Sequence, residues 1–165
     1  MKRLFSPWRS EYIQTFSDKK HSGECLFCRM VKQNKDTHNL IIWRGKFCFA
    51  VLNKFPYNSG HLMVVPYRHT SKFAKLTDKE HNEIMSLIAK CILALEHVSK
   101  PQGFNFGANL GRVAGAGIDK HIHFHLVPRW HGDTNFMPIV ADTKLISEDI
   151  CKTWKSLKSE LKKIK

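Results

Sequence analysis

The sequence lacks any apolar run long enough to cross a bilayer. Its longest apolar stretches, such as FCFAVL at 47–52, fall far short of the roughly 20 residues that a transmembrane helix needs. The opening segment MKRLFSPWRS carries charges but not the apolar centre of a secretory signal. These absences predict a cytoplasmic protein with no membrane association.

The sequence also lacks an even cysteine count, internal repeats and low-complexity linkers. Five cysteines without a signal peptide argue against the disulfide framework of a small secreted protein. With 42% hydrophobic and 25% charged residues, the 165-residue chain has the composition of one soluble domain. We therefore predict a single domain over residues 1–165, in which residues 1–20 form an N-terminal arm.

Acidic residues are scarce, because 14 Asp and Glu stand against 27 Lys and Arg, giving a formal net charge of +13. Such a balance favours a polyanionic partner, such as a nucleotide, a nucleic acid or an anionic surface. Part of the excess lies in the lysine-rich segment 151–165, which is typical of a solvated helix face. No segment interleaves basic and aromatic residues as nucleic-acid-binding motifs do, so nucleic acid is not the expected partner.

Apolar patterns locate four strands and two helices. The strands are KFCFAVLN (46–53), HLMVVP (61–66), GFNFGANL (103–110) and HIHFHLVP (121–128). Between the second and third strands, Thr77 and Glu80 form a capping-box pattern, followed by apolar residues at helical spacing up to Pro101. A C-terminal helix is expected over 147–164, with a narrow apolar seam. This order predicts an α+β domain with a mostly antiparallel sheet and the long helix on one face.

The fourth strand pattern places histidines at every second position: His121, His123 and His125. Alternate side chains of a strand point to opposite faces, so the apolar residues between them should enter the core. The histidines should share the other face, about 6.6 Å apart. They suit either a metal ion or nucleophilic catalysis at phosphorus. The preceding loop GRVAGAG (111–117) favours phosphate, because glycines allow successive N–H groups to face an anion.

The segment HIHFHLV (121–127) resembles the His-φ-His-φ-His-φ-φ signature of the histidine triad (HIT) superfamily of nucleotidyl hydrolases and transferases. The segment NKFPYNSGHLMVVPYRH (53–69) is similar to the strand pair that precedes this signature in the family. The resemblance covers roughly residues 25–138. The flanks FSPWRSEYI (5–13) and VPRWHGDTNFMPIVADTK (127–144) resemble the bacterial branch of phosphorylases that acts on diadenosine tetraphosphate.

The resemblance implies a five-stranded, mostly antiparallel sheet with one long helix packed on it, plus the C-terminal helix. It implies that His123 is the nucleophile and forms a nucleotidyl-histidine intermediate at the α-phosphate. His125 would contact the phosphate, and His61 would order the triad from the neighbouring strand. The implied nucleotide-binding residues are Phe27, Asn53, Asn109, Gly115 and Gly117. Among these, Asn53 would bind the ribose, Asn109 and the glycine N–H groups would bind phosphate oxygens, and Phe27 would stack on the base or simply pack in the core.

The segment CLFC, which contains Cys25 and Cys28, has three possible roles: zinc binding, core packing or redox chemistry. A redox pair would need a βαβ setting that the sequence does not indicate. Some members of the histidine triad family bind structural zinc with two cysteines and two histidines, and the resemblance implies that the corresponding residues here are Cys25, Cys28, His69 and His121. If His121 binds zinc, it cannot donate a proton to the leaving group, and water or His125 must do so.

The predicted function is therefore cleavage of dinucleoside polyphosphates, by phosphorolysis. The alternatives are a HIT-type nucleoside phosphoramidate or nucleotide hydrolase, and a non-catalytic nucleotide-binding module. No organic cofactor is expected. The resemblance also implies a homodimer, for which an open sheet edge and the apolar seam of the C-terminal helix would offer surface.

Overall fold

The computed structural model describes residues 23–133 and 148–164. These residues form three helices: α1 (Leu26–Gln33), α2 (Asp78–Ser99) and α3 (Ile150–Leu161). The strands are β1 (Ile41–Arg44), β2 (Cys48–Leu52), β3 (Leu62–Pro66), β4 (Gly103–Gly107) and β5 (Phe124–Arg129). Short 3-10 turns occupy Phe73–Lys75 and Arg112–Ala114. The predicted N-terminal arm and residues 134–144 of the second flanking motif lie outside the described residues.

The five strands form one sheet in the order β1-β2-β3-β5-β4, with every neighbouring pair antiparallel. The predicted α+β class and five-stranded sheet are thus confirmed. The sequence patterns located neither β1 nor α1, because both are short and β1 shows no clear alternation of apolar and polar residues. Within the described residues, no helix combines the length and apolarity that a bilayer crossing requires.

Side-chain alternation in the strands divides the core between the two faces of the sheet. On β2, Cys48, Ala50 and Leu52 pack in one cluster with the apolar stripes of α2 and α3. Phe49 and Val51 point the other way and belong to a second cluster with α1. Consequently, the sheet is covered on both faces along β1–β3, which fixes the frame on which the histidines are placed.

Helix α2 begins as the sequence predicts. The side chain of Thr77 accepts a hydrogen bond from the backbone of Glu80, while the Glu80 carboxylate accepts from the backbone N–H of Thr77. The Glu80 carboxylate also pairs with Arg68 at 2.6 Å. This pair ties the segment after β3 to the start of the helix.

Helix α3 begins at Ile150 rather than near residue 147, because the Asp149 side chain caps it by accepting two backbone N–H bonds. Leu157 and Leu161 of its seam are fully buried in the same cluster as α2. The Trp154 indole N–H donates to the Ile41 carbonyl at 3.0 Å. The buried part of the seam is thus occupied within the chain, so the idea that it offers a surface to a second copy was wrong.

The strand that carries the histidines begins later than predicted, at Phe124 instead of His121. The His121 ring nitrogen Nε2 donates to the Pro66 carbonyl at 2.9 Å, and the Ile122 N–H donates to the Thr70 carbonyl at 2.7 Å. These bonds hold residues 121–123 beside the end of β3 without a regular ladder. The predicted alternation still holds, because Ile122, like Phe124 after it, is buried in the α2 cluster.

Candidate active site and metal centre

The face that carries the three histidines is not open along its whole length. His121 and His123 are only 1% and 4% exposed. The Phe27 ring of α1 covers them, with ring centroids 5.4 Å from His121 and 5.3 Å from His123. Phe27 itself is 1% exposed, so in this structure it has the core-packing role rather than an available stacking face.

Hydrogen bonding fixes the tautomer of His123. Its Nδ1 lies 2.9 Å from the His121 carbonyl oxygen, which can only accept, so Nδ1 carries the hydrogen. Nε2 then holds the lone pair that a nucleophile needs. Burial lowers the pKa of His123, which keeps the ring neutral at neutral pH.

A second chain of bonds orients His125 through His61. The Tyr57 backbone N–H donates to His61 Nδ1 at 3.0 Å, so the neutral ring carries its hydrogen on Nε2. His61 Nε2 lies 2.9 Å from His125 Nδ1 and donates to it. His125 therefore carries its own hydrogen on Nε2, as a neutral donor. The structure thus brings the buried His61 beside His125, and the Tyr57 ring packs against His61 in a tilted arrangement with centroids 4.7 Å apart.

The two cysteines of α1 meet two histidines at the opposite end of the triad. Cys25, Cys28, His69 and His121 place one ligand atom each within 4.8 Å of one another. His121 Nδ1 lies 3.2 Å from Cys25 Sγ, 3.7 Å from Cys28 Sγ and 3.3 Å from His69 Nδ1, and Cys28 Sγ lies 3.5 Å from His69 Nδ1. A tetrahedral zinc ion with ordinary Zn–S and Zn–N bonds separates its ligand atoms by about 3.4–3.8 Å. The four residues therefore fit one tetrahedral ion.

The protonation of this cluster suits a cation. Because His121 donates from Nε2 to the Pro66 carbonyl, its Nδ1 lone pair faces the cysteines, and the carbonyl is the outer partner that metal-bound histidines typically have. Burial lowers the pKa of His121 to about 4, so the ring is neutral. Burial and the neighbouring Cys25 raise the pKa of Cys28, and a bound cation would reverse that shift by stabilising the thiolates.

The other predicted nucleotide-binding residues are only partly brought together. The Asn53 side chain is buried, with Nδ2 3.3 Å from His61 Nδ1 and Oδ1 accepting from the Phe55 N–H at 3.0 Å. In the glycine-rich loop, the Gly115 N–H donates to the Arg112 carbonyl at 2.9 Å. Asn109 lines a cavity beside His125. Gly117 is exposed after the 3-10 turn of the loop.

That cavity has a volume of about 510 Å³ and lies over β4 and β5. Sequence reasoning missed several of its residues: Tyr57, Asn58, Asn105, Arg129 and Asp133. Asp133 binds the Arg129 guanidinium at 2.6 and 2.8 Å, and Asn105 Oδ1 accepts from Arg129 Nη1 at 2.8 Å. Asn105 lies on β4, and only the pairing of β4 with β5 shows that it shares a face of the sheet with His125.

Comparisons with known proteins agree with this geometry. The HIT domain family model matches residues 34–132. AP-4-A phosphorylase of Mycobacterium tuberculosis (strain CDC 1551 / Oshkosh) is 40% identical over 164 residues, which is 97% of this chain and 84% of that protein. The adenosine 5'-monophosphoramidase of Schizosaccharomyces pombe is 31% identical over 105 residues, which is 64% of this chain and 74% of that protein.

Among solved structures, a Zn-bound histidine triad family protein from Mycobacterium smegmatis is similar with a TM-score of 0.70. It is 22% identical, and the match covers 85% of this chain and 94% of that one. The family match over residues 34–132 and the relative that is 40% identical over 97% of the chain lead to one conclusion. This chain belongs to the HIT, or histidine triad, family.

Proposed function

We propose that this protein cleaves dinucleoside polyphosphates by nucleotidyl transfer through His123, with inorganic phosphate as the second acceptor. The observation that carries the proposal is the bond between His123 Nδ1 and the His121 carbonyl, which leaves Nε2 as a neutral nucleophile. Support for the substrate class comes from the 40% identical relative named AP-4-A phosphorylase.

In the first step, the Nε2 lone pair of His123 forms a bond to the α-phosphorus. The bond from this phosphorus to the bridging oxygen breaks, and its electron pair stays on the leaving nucleotide, which departs as an anion. For diadenosine tetraphosphate the leaving group is ATP. The Nε2–H of His125 donates a hydrogen bond to the phosphate as charge develops. His61 holds that tautomer in place.

In the second step, an oxygen of inorganic phosphate attacks the phosphorus of the nucleotidyl-histidine. The N–P bond breaks, and its electron pair returns to Nε2 of His123, which regenerates the neutral ring. The product is ADP. The hydrogen on Nδ1 stays bonded to the His121 carbonyl throughout, so no proton has to leave the buried ring.

We also propose that zinc binds to Cys25, Cys28, His69 and His121 as a structural ion. Four protein ligands would complete the coordination of a zinc ion and leave no open position for substrate. Its effect on the site is indirect, because it fixes the start of the segment that carries His123. If Nδ1 of His121 held the metal, its Nε2 being bonded to the Pro66 carbonyl, neither nitrogen would be left for proton transfer, and His125 or water would handle protons.

A nucleoside phosphoramidase is the second candidate, favoured by the similarity to the adenosine 5'-monophosphoramidase of Schizosaccharomyces pombe. It would use the same His123 chemistry with an amine as leaving group and water as acceptor. We further propose a cytoplasmic homodimer. The observation that supports the dimer is that β4 ends the sheet and has only β5 as a neighbour in the described chain.

The deciding experiment incubates the protein with diadenosine tetraphosphate, with and without inorganic phosphate, and identifies the products by chromatography. ADP plus ATP, formed only with phosphate, is the expected result. AMP plus ATP in either condition would mean hydrolysis. Two ADP without phosphate would contradict attack at the α-phosphorus, and no turnover would contradict the dinucleotide substrate.

A further inference from the structure

The chemistry proposed at His123 uses His125 but leaves most of the adjoining cavity without a role. It lies on the face of the sheet that carries the histidines, because Asn105 and Gly107 of β4 pair with Val127 and His125 of β5. Its volume of about 510 Å³ falls within the range of small-molecule sites, roughly 300–1,000 Å³. The His123 and His125 rings lie 4.9 Å apart, so the cavity begins one side chain away from the nucleophile.

One residue of the cavity lining is the glycine Gly107. Gly107 lies directly opposite His125, and a Cβ atom added there would meet nothing within 4 Å. Its φ lies outside the left-handed region, so the backbone does not require glycine at this position. The missing side chain therefore leaves room for a ligand over the strand.

Tyr57 forms an aromatic wall of the cavity. The residue is 40% exposed, and its ring lies 6.0 Å from the His125 ring with an interplanar angle of 28°. An exposed aromatic face of this kind suits a planar base, because stacking adds to the burial of apolar area.

The polar groups of the cavity suit an uncharged ligand. The positive charge of Arg129 is neutralised by Asp133 in the same lining, in an ion pair of 2.6 Å. Asn105 accepts from Arg129 through Oδ1, so its amino group is left as the donor toward the cavity. Amide donors, an aromatic wall and a balanced charge favour a nucleoside over a bare phosphate chain.

We propose that this cavity binds the nucleoside of the leaving nucleotide, the second nucleoside of a dinucleoside polyphosphate. The inference rests on the proposed function. It adds a subsite by which the enzyme would distinguish dinucleotide substrates from mononucleotide substrates. The transferred nucleotide is held at His123, the phosphate chain passes His125, and the second base stacks on Tyr57.

The test fills the floor of the cavity with Gly107→Val. Gly103→Val is the matched control, since Gly103 lies in the same strand, also has open space at its Cβ position and does not line the cavity. The specificity constant kcat/KM is measured for diadenosine tetraphosphate with phosphate and for adenosine 5'-phosphoramidate, which has no second nucleoside. Gly107→Val should lower the ratio of the two constants by about tenfold or more, and Gly103→Val should leave it within about twofold.

Asn105→Ala provides a second test of the subsite if Gly107→Val fails to fold. It should raise KM for the dinucleotide severalfold while turnover of the phosphoramidate stays near that of the unmodified protein. Equal losses on both substrates, or a changed molecular mass in solution, would overturn the subsite and assign the cavity to the catalytic scaffold or to a contact with another copy. If the unmodified protein cleaves only the phosphoramidate, the proposed function and the subsite both fail.

Discussion

The two ends of the histidine triad use the same residue type in opposite ways. At one end, His121 is 1% exposed and both ring nitrogens face protein groups, namely the Pro66 carbonyl and the cysteine cluster. At the other end, His125 is held on Nδ1 by His61 and lines a cavity. Each ring has one nitrogen fixed by a hydrogen bond inside the protein. The difference indicates that the role of each histidine depends on what its other ring nitrogen faces. His123 lies between these ends and takes its tautomer from the buried one.

The largest effect is expected from removing the residue between the two ends. His123→Ala should lower kcat for diadenosine tetraphosphate by at least about 1,000-fold, since a covalent nucleophile has no substitute. The variant should remain folded and bind nucleotide, although loss of a buried ring will lower its melting temperature. Steady-state kinetics and thermal unfolding measure both properties. The exposed His38→Ala is the control, and near-normal kcat in His123→Ala would refute the nucleophile.

At the cavity end, His125→Ala should lower kcat by about 100-fold, the typical cost of removing one donor to a developing oxyanion. His125→Gln should retain at least ten times more activity than the alanine variant, because its amide can still donate a hydrogen bond. Both are measured with the same substrate under saturation. Equal activity of the two variants would mean that His125 does not act as a neutral donor.

At the metal end, the effect should be on stability more than on chemistry. Purified, tag-free protein should contain about one zinc per chain, and Cys25→Ser should lose it and melt about 5–10 °C lower. Elemental analysis and thermal unfolding decide this. Cys151→Ser is the control, because Cys151 is exposed and outside the cluster. Less than about a tenth of an equivalent of zinc, unchanged by zinc added during expression, would leave the CLFC segment as packing.

The smallest effect should come from the ion pair between Glu80 and Arg68, which lies next to His69 of the metal cluster. The pKa of Glu80 is lowered to about 2, chiefly by its bonds to Arg68, which precedes His69. This pair stabilises the fold fully above the ordinary glutamate pKa of about 4.3, and the contribution is lost as pH falls through about 2. Glu80→Gln should cost about 1–2 kcal/mol at pH 7 and clearly less at pH 3.

Thermal unfolding at both pH values, with Glu96→Gln on the exposed face of α2 as control, measures this difference. A gap between Glu80→Gln and the unmodified protein that stays constant from pH 7 to pH 3 would show that the ion pair does not stabilise the segment.

Local sequence patterns predicted much of this structure. The capping-box pattern of Thr77 and Glu80 predicted the start of α2, and the alternation around Ile122 and Phe124 predicted which side chains enter the core. The metal cluster of Cys25 and its three partners was implied by the family resemblance, and the structure brings all four residues together. These features depend on neighbours in the chain or on a family pattern visible in it.

The features that sequence did not predict depend on contacts between distant residues. The strand start at Phe124 follows from the His121 bond to Pro66, 55 residues away. The burial of His123 follows from Phe27 of an unrecognised helix. The cavity exists because Asn105 and Gly107 pair with β5, a register that composition alone does not specify.

The bond from the Trp154 indole to the Ile41 carbonyl joins the first strand to the last helix across 113 residues. At a synthesis rate of about 10 residues per second, β1 must wait on the order of 10 s on the ribosome before its partner in α3 has been made. Until then, the apolar residues of the α2 cluster lack the side chains of Leu157 and Leu161. The nascent chain therefore completes its core only after the whole histidine segment has been translated. Between the synthesis of β1 and that of α3, its uncovered apolar residues expose it to aggregation.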